Sequence, residues 1–174
     1  MDRMIAMHMD EAIAGKCVRD IMRHDVVSVA SDQTIQDVAE ALTKRSIHGV
    51  PVIDRDSTVV GIVTESDFFM KDRASLHIPS FMDIMQKTMV AKALGDTDRA
   101  TIDRVLSARV RDIMTAECMT VYEGTPLHDL LQIFATTHFK TIPVVDDQRR
   151  LVGVVTVMDM LTAITPPVGR VSGA

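Results

Sequence analysis

Two threonine–aspartate pairs, each three residues apart, are the side chains in this chain best suited to chemistry. Thr64 with Asp67 and Thr156 with Asp159 close the matching stretches G-I-V-T-E-S-D and G-V-V-T-V-M-D. Each pair follows an apolar, β-branched run, so it would lie at the carboxyl end of a buried strand, where open clefts form. A hydroxyl and a carboxylate there suit the vicinal hydroxyls of a ribose, because a carboxylate accepts bidentate hydrogen bonds.

The same spacing also has a structural explanation. T-x-x-D at a strand-to-helix junction is a capping pattern, in which threonine accepts from a helix amide and aspartate stabilises the positive helix end. Capping would account for either pair taken alone. The occurrence of both pairs at the same place in two repeats favours a binding role, and one pair can perform both roles.

Two prolines form a second matched feature, Pro51 in G-V-P-V-I and Pro143 in T-I-P-V-V. Proline has no N–H and is found at strand edges or starts. We expect it to leave backbone groups of Val50 or Ile142 unpaired and able to meet the polar edge of a planar ring. An ordinary edge-strand proline is the alternative, but the nearby Thr/Asp pairs favour a purine slot.

Phosphate groups would require cations or helix amino termini. The candidate side chains differ between the repeats, so two sites would differ in affinity, although each is also explained as a solvated surface charge. They are Arg23, His24, Lys44, Arg45, His48, His138 and Lys140, of which we favour Arg23, His24, Arg45 and His138. The sequence has no Walker P-loop, no H-x-x-x-H or H-E-x-x-H spacing and no nucleophile elbow, so we expect neither a metal nor catalytic residues.

The elements that would position these residues occur twice. Val18–Met70 aligns without gaps with Val110–Thr162, so that residue 18 matches residue 110 and every later pair keeps this offset. The pattern predicts a β-α-β-β-α order and an α+β fold, with the two copies packed as a pseudo-two-fold pair. The predicted elements are a strand at Val26–Val29, a helix at Thr34–Ser46, strands at Gly49–Ile53 and Val59–Thr64, their counterparts Thr141–Val145 and Leu151–Thr156, a helix capped by Thr125 with Pro126 at its first position, and a closing helix after Thr64 and Thr156.

The repeats predict five segments. Residues 1–17 form a helical lead-in, residues 18–70 and 110–165 the two motifs, residues 71–109 a helical spacer, and residues 166–174 a flexible tail. The apolar stripe Ile78–Met89 indicates a connecting helix packed on the module, or alternatively a partner surface.

Composition narrows the class of protein. A net charge of −5 argues against broad binding of nucleic acid or anionic membranes. No segment approaches the ~20 apolar residues needed to span a bilayer. Cys17 and Cys118 form no C-x-x-C motif, so a reduced, cytoplasmic protein is the simplest interpretation.

The repeated residues resemble the cystathionine-β-synthase (CBS) domain family. One copy carries V-R-D-I-M, H-G-V-P-V-I-D and V-V-G-I-V-T-E-S-D, and the other V-R-D-I-M, K-T-I-P-V-V-D and L-V-G-V-V-T-V-M-D. The resemblance covers both repeats and implies a tandem CBS pair, or Bateman module. Such modules commonly bind AMP, ADP, ATP or S-adenosylmethionine as a regulatory ligand in clefts between the copies.

The resemblance also implies residue roles. Thr64 with Asp67, and Thr156 with Asp159, would contact the ribose. The adenine would be contacted around the proline strands, by His48, Gly49, Val50 and Pro51 in one copy and by Lys140, Thr141, Ile142 and Pro143 in the other. Stand-alone pairs of the family often form homodimers.

Two functions remain open at this point. The leading hypothesis is a non-enzymatic sensor that binds an adenosyl ligand and transmits the bound state to an unknown partner by population shift. The alternative is a homodimeric interaction scaffold without a ligand, working through the Ile78–Met89 stripe. An enzyme is a distant third, and no cofactor is required by any of these functions.

Overall fold

The computed structural model describes residues 11–68 and 107–165. Two compact units make up the chain: Val27–Cys118, here called the Asp67 unit, and Met1–Val26 together with Met119–Ala174, here called the Asp159 unit. Each unit combines a small sheet with helices, which confirms the predicted α+β class. Most of the predicted lead-in and spacer, the stripe Ile78–Met89 and the predicted tail lie outside the described residues.

The Asp67 unit contains a four-stranded sheet of order β1-β2-β3-β4. Strand β1 is parallel to β2, and the other pairings are antiparallel. The elements in chain order are β1 (Val29–Ala30), α1 (Ile35–Arg45), β2 (Gly49–Ile53), β3 (Val59–Thr64), a 3₁₀ turn (Glu65–Phe68), α2 (Val110–Ile113) and β4 (Thr115–Ala116). Helix α1 buries Ile35, Val38 and Leu42 on one face, as its apolar spacing predicts.

The Asp159 unit repeats this plan with a three-stranded sheet of order β5-β6-β7. Strand β5 is parallel to β6, and β6 is antiparallel to β7. Its elements are a 3₁₀ turn (Val18–Asp20), β5 (Val121–Tyr122), α3 (Leu127–Thr136), β6 (Thr141–Val145), β7 (Leu151–Thr156) and α4 (Val157–Ile164). None of the helices that the structure describes is long and apolar enough to cross a bilayer.

The opening residues of each repeat pack with the other repeat. The first lead segment, Val18–Met22, belongs to the Asp159 unit, and the second, Val110–Met114, belongs to the Asp67 unit. The repeats are therefore continuous in sequence, whereas the packed units are not.

The two lead segments make the same hydrogen bonds in their respective units. The Val18 amide donates to the Thr125 carbonyl and the Val110 amide to the Gln33 carbonyl, each at 2.9 Å. The side chains of Val18 and Val110 are fully buried, in separate apolar cores. Because burying a valine contributes roughly 1.5–3 kcal/mol, each lead segment is an integral part of the unit that it joins.

An aspartate closes each lead segment on itself. In the first, Asp20 Oδ2 accepts from the Cys17 amide at 2.8 Å, and in the second, Asp112 Oδ2 accepts from the Arg109 amide at 3.1 Å. The Cys17 amide holds the pKa of the Asp20 carboxyl below its usual value, because this hydrogen bond favours the charged form. The aspartate of V-R-D-I-M thus has a structural role in both copies.

Two glycines allow the chain after each lead segment to lie against a central strand. The amide of Arg23 donates to the Val154 carbonyl at 2.8 Å, and the Val154 amide donates back at 3.0 Å. In the other unit β4 pairs with β3, with Ala116 opposite Gly61. A Cβ on Gly61 would lie 2.7 Å from the Thr115 carbonyl oxygen, so this approach requires glycine.

The same constraint applies in the Asp159 unit. A Cβ on Gly153 would lie 2.8 Å from Met22 Sδ and 3.1 Å from the Arg23 carbonyl oxygen. The glycine in each of the repeated stretches G-I-V-T and G-V-V-T is therefore explained by the chain after a lead segment, which lies against it.

Four central strands have the predicted bounds, whereas β1 does not. Strand β1 covers Val29–Ala30 instead of Val26–Val29, and it pairs only with Val52 and Ile53 of β2. The next amide along that edge of β2 would be that of Pro51, which has no N–H to donate. Pairing therefore begins after the proline.

The start of α3 also differs from the prediction. Helix α3 begins at Leu127 with Pro126 as its N-cap, and no side chain caps it. The Thr125 hydroxyl instead accepts from the Tyr122 amide at 3.2 Å. The Leu127 amide donates to the Lys16 carbonyl at 3.0 Å, because the chain before the first lead segment occupies the place of a side-chain cap.

Replacing Gly61 by alanine should destabilise the protein by about 1–3 kcal/mol, because the added methyl group meets a backbone carbonyl. Gly153→Ala should cost less, since the nearest atom belongs to the flexible side chain of Met22. Urea denaturation monitored by circular dichroism measures both changes.

Gly124→Ala is the matched control, because a Cβ there meets only Arg19 Nη2 at 3.4 Å. If Gly61→Ala unfolds at the same urea concentration as Gly124→Ala, the close approach of the second lead segment does not limit residue 61.

Candidate functional site

In the Asp67 unit the predicted threonine and aspartate contact each other. The Asp67 Oδ2 atom accepts from the Thr64 amide at 2.7 Å and from the Thr64 hydroxyl at 2.9 Å. The second oxygen, Asp67 Oδ1, lies 3.4 Å from the hydroxyl of Thr115, which follows the second lead segment. Both residues of the pair are half-buried at the end of β3.

In the Asp159 unit the equivalent atoms have the same arrangement. Asp159 Oδ2 accepts from the Thr156 amide at 2.9 Å and from its hydroxyl at 2.6 Å. The Thr156 hydroxyl also accepts from the Asp159 amide at 3.2 Å, which completes a capping box for α4. Asp159 Oδ1 accepts from Arg23 Nε at 2.9 Å, and Arg23 follows the first lead segment.

The structural explanation for T-x-x-D is therefore present, and at Asp159 the bonds to Thr156 use one of the two carboxylate oxygens. Capping uses Oδ2 of each aspartate, whereas Oδ1 is directed toward the residue after a lead segment. Each carboxylate oxygen has two acceptor positions, so Asp159 Oδ1 can accept a hydrogen bond beyond that from Arg23. The geometry allows one aspartate to cap a helix and to hold a ligand hydroxyl.

The sheet register brings the predicted ribose residues next to the predicted adenine residues. Gly49 of β2 lies opposite Thr64 of β3, and Thr141 of β6 lies opposite Thr156 of β7. The two predicted sets, around the prolines and around the threonines, thus meet at one end of each sheet. This juxtaposition is the same in both units.

The register also shows that the expectation about the backbone groups of Val50 needs correction. The Glu65 amide donates to the His48 carbonyl, and hydrogen-bonded pairs alternate along an antiparallel ladder. Val50 and Val63 are then a hydrogen-bonded pair, so the backbone groups of Val50 are directed toward β3. The expectation that Val50 would be unpaired is wrong, and Gly49 is the residue whose amide and carbonyl are directed to the other side.

Ile142 is corrected in the same way. The Val157 amide donates to the Lys140 carbonyl, so Ile142 and Val155 form a hydrogen-bonded pair. Thr141 then directs its amide and carbonyl to the side of β6 where β5 lies. Strand β5 pairs only with Val144 and Val145, so within the described part of the chain no strand faces Thr141 there.

The remaining adenine candidates divide into buried and exposed residues. The side chains of Val50 and Ile142 are fully buried, and Pro51 and Pro143 are buried beside them. His48 and Lys140 are exposed, and His48 Nδ1 lies 3.1 Å from Glu65 Oε1. The sheet thus presents an apolar strand with a polar residue before it in each unit.

The phosphate candidates differ in their relation to the site. The guanidinium of Arg23 contacts Asp159, whose side chain is 10% exposed, whereas the Arg23 side chain is 62% exposed. His24 is the next residue, Arg45 ends α1, and His138 lies between α3 and β6; all three are exposed. In the described parts of the chain, these three make no ion pair with Asp67 or Asp159.

Sequence reasoning missed Thr115. Alignment of the repeats pairs Thr115 with Arg23, directly after V-R-D-I-M, so the signal was present in the sequence. Its meaning appears only when the second lead segment is seen to pack beside Asp67.

Comparison with known proteins gives the same division into repeats. The family model of the CBS domain matches residues 18–73 and 110–166. The uncharacterized protein MJ1426 of Methanocaldococcus jannaschii is 28% identical over 152 residues, covering 84% of this chain and 90% of that protein. The chloroplastic CBS domain-containing protein CBSX2 of Arabidopsis thaliana is 27% identical over 144 residues, which span 82% of this chain and 60% of CBSX2.

Solved structures agree with the fold. A crystal structure of CBSX2 in complex with AMP superposes with a TM-score of 0.63 at 25% identity, covering 86% of this chain and 96% of that one. The CBS domain pair of protein MJ0100, in complex with 5′-methylthioadenosine and S-adenosyl-L-methionine, gives a TM-score of 0.59 at 24% identity, with 84% and 94% coverage. Two matches to one family model, on two repeats that build the same hairpin and the same Thr/Asp cluster, show that this chain belongs to the CBS domain family.

Proposed function

We propose that this chain is a regulatory module that binds an adenosine-containing ligand at the Thr64–Asp67 and Thr156–Asp159 pairs. The observation that carries the proposal is the register that places Gly49 or Thr141 of one strand opposite the threonine of each Thr/Asp pair on the next strand. The AMP complex of CBSX2, which is 25% identical in the matched structure, supports the same class of ligand.

Each part of the site suits one part of an adenosine. The aspartate would accept from one ribose hydroxyl through Oδ1, since Oδ2 is occupied by the capping hydrogen bonds. The amide and carbonyl of Gly49 or Thr141 offer a donor and an acceptor side by side, which complement the ring nitrogen and amino group of adenine. The apolar residues of β2 and β6 would contact the ring faces.

The phosphate or sulfonium group of the ligand would lie outside these contacts. We propose Arg23, His24, Arg45 and His138 as the cations available to a phosphate, with Arg23 placed best because it already contacts Asp159. AMP, ADP, ATP and S-adenosylmethionine share the adenosine that this site would hold and differ only in the group that it carries.

Signalling would follow from differential affinity. A ligand shifts the balance between two arrangements of the motifs only if it binds one arrangement more tightly. We propose binding without turnover, because the hydroxyl and carboxylate of each pair are engaged in hydrogen bonds to each other. We further propose that the module acts as a homodimer in the cytoplasm and reports to a partner protein.

Ligand binding should raise the melting temperature. A ligand at one hundred times its dissociation constant stabilises the folded state by about 2.7 kcal/mol, which corresponds to several degrees for a chain of this size. Differential scanning fluorimetry with AMP, ADP, ATP and S-adenosylmethionine, with GMP as the comparison, measures the shift. The absence of any shift at millimolar concentration would contradict the proposed function.

Asp67→Asn and Asp159→Asn should each weaken binding at their own site by roughly tenfold to a hundredfold, because a charged acceptor becomes a neutral amide. Isothermal titration calorimetry with the best nucleotide from the melting experiment gives the affinities.

Asp37→Asn is the matched control for capping. Asp37 accepts from the Thr34 amide and hydroxyl, both at 2.8 Å, and these bonds hold the pKa of its carboxyl below the usual value. The variant should lose capping stability while retaining nucleotide affinity. If Asp67→Asn, Asp159→Asn and Asp37→Asn all bind the nucleotide with the same affinity, the site aspartates act only in helix capping.

A further inference from the structure

The structure places different residues beside the two site aspartates. Arg23 donates to Asp159 at 2.9 Å, and Thr115, its counterpart after the second lead segment, lies 3.4 Å from Asp67. We propose that Arg23 makes the Asp159 site selective for phosphate-bearing nucleotides over uncharged nucleosides and over the cationic S-adenosylmethionine. This inference rests on the proposed function and adds the charge class of the ligand at one of its two sites.

Both the backbone and the side chain of Arg23 are held in place by hydrogen bonds. Its backbone amide and carbonyl are hydrogen-bonded to Val154 at 2.8 and 3.0 Å, and its Nε donates to Asp159 Oδ1. A positioned guanidinium loses less conformational entropy on binding an anion than a free surface arginine does. Arg23 therefore differs from His24, Arg45 and His138, none of which makes an ion pair with Asp159 within the described parts of the chain.

The contact with Asp159 leaves most of the donors of Arg23 for a ligand. A guanidinium has five N–H donors, and Nε uses one of them. The side chain of Arg23 is 62% exposed while that of Asp159 is only 10% exposed, so most of the Arg23 side chain remains accessible to a ligand. A 5′-phosphate is carried by the same ribose whose hydroxyls would contact Asp159, which brings it near this guanidinium.

Charge determines which ligands benefit. An aspartate alone would repel a phosphate and attract a sulfonium, whereas Arg23 compensates the carboxylate and adds charge-assisted donors. Uncharged adenosine would gain little from Arg23. At the equivalent position beside Asp67 the chain contributes a neutral hydroxyl, so the repeat itself supplies the residue for an exchange experiment.

Arg23→Thr should lower the affinity of the Asp159 site for AMP about tenfold and leave adenosine within about twofold. Lys at this position should retain part of the AMP affinity. Rising salt should weaken AMP binding more in the natural protein than in Arg23→Thr, because partly exposed charges are screened.

Methionine methyl groups allow each site to be followed separately. Met22 precedes Arg23 and packs on Gly153, and Met114 precedes Thr115 and packs on Gly61. Titrations of protein labelled with ¹³C at the methionine methyls, using AMP, adenosine and S-adenosylmethionine, report the Asp159 site through Met22 and the Asp67 site through Met114. Met22→Leu and Met114→Leu assign the two resonances.

The outcomes separate this inference from the proposed function. A selective loss of AMP affinity at Met22 in Arg23→Thr, with adenosine unchanged, supports it, and a gain in AMP over adenosine at Met114 in Thr115→Arg supports it independently. If AMP shifts the Met22 methyl resonance with the same affinity in the natural protein and in Arg23→Thr, Arg23 forms only a structural ion pair. If Met114 alone responds to AMP, the Asp159 site is not a nucleotide site and the inference fails, while the proposed function stands at the Asp67 site only. If neither methyl responds to any of the three ligands, the proposed function fails as well.

Discussion

The close approach of the chain that follows a lead segment to a glycine in a central strand is the constraint on which the rest of each unit depends. At Gly61 the neighbouring strand β4 leaves no space for a Cβ, since the backbone carbonyl oxygen of Thr115 would lie 2.7 Å from it. This approach brings Thr115 to Asp67, and the equivalent approach at Gly153 brings Arg23 to Asp159. A larger residue at either glycine would move the chain after the lead segment away from the aspartate of the same unit. The same small residue therefore serves the packing of the unit and the composition of the site.

The two oxygens of each site aspartate have different neighbours. Oδ2 accepts from the amide and hydroxyl of the threonine three residues earlier, which fixes the carboxylate at the start of a helical turn. With one oxygen held, the position of the other is determined as well. The threonine–aspartate hydrogen bonds are thus a means of positioning a carboxylate, and in the proposed function the structural role and the binding role of Asp67 and Asp159 would reinforce each other.

The prolines of β2 and β6 limit how far the neighbouring parallel strand can pair. Proline at residue 51 removes the donor that would otherwise extend β1, so among residues 11–68 and 107–165 no strand pairs with this edge of β2 beside Gly49. The ladder with β3 is unaffected, because Pro51 occupies a position that is not hydrogen-bonded in that pair. Pro143 does the same for β6 beside Thr141. A missing N–H thus ends the pairing with β1 or β5 two positions after the residue whose amide and carbonyl are directed to that side.

Local patterns in the sequence determined the elements. The bounds Gly49–Ile53, Val59–Thr64, Thr141–Val145 and Leu151–Thr156 follow from β-branched runs and turn residues, and the Thr/Asp clusters follow from a spacing of three. Such features depend on neighbours a few residues apart, so they can be predicted without the fold. The duplication was equally plain, and it supported the family to which the chain belongs.

Tertiary structure alone decided which lead segment joins which repeat, and therefore that Arg23 contacts Asp159 although 136 positions separate them. The two lead segments have the same five residues, V-R-D-I-M, so their sequence contains no preference between the two sheets. The choice depends on contacts distant in the chain, as does the alternation by which Gly49, instead of Val50, directs its backbone groups away from β3. Residue types and spacing therefore named the groups of the site, and long-range packing determined which of them meet.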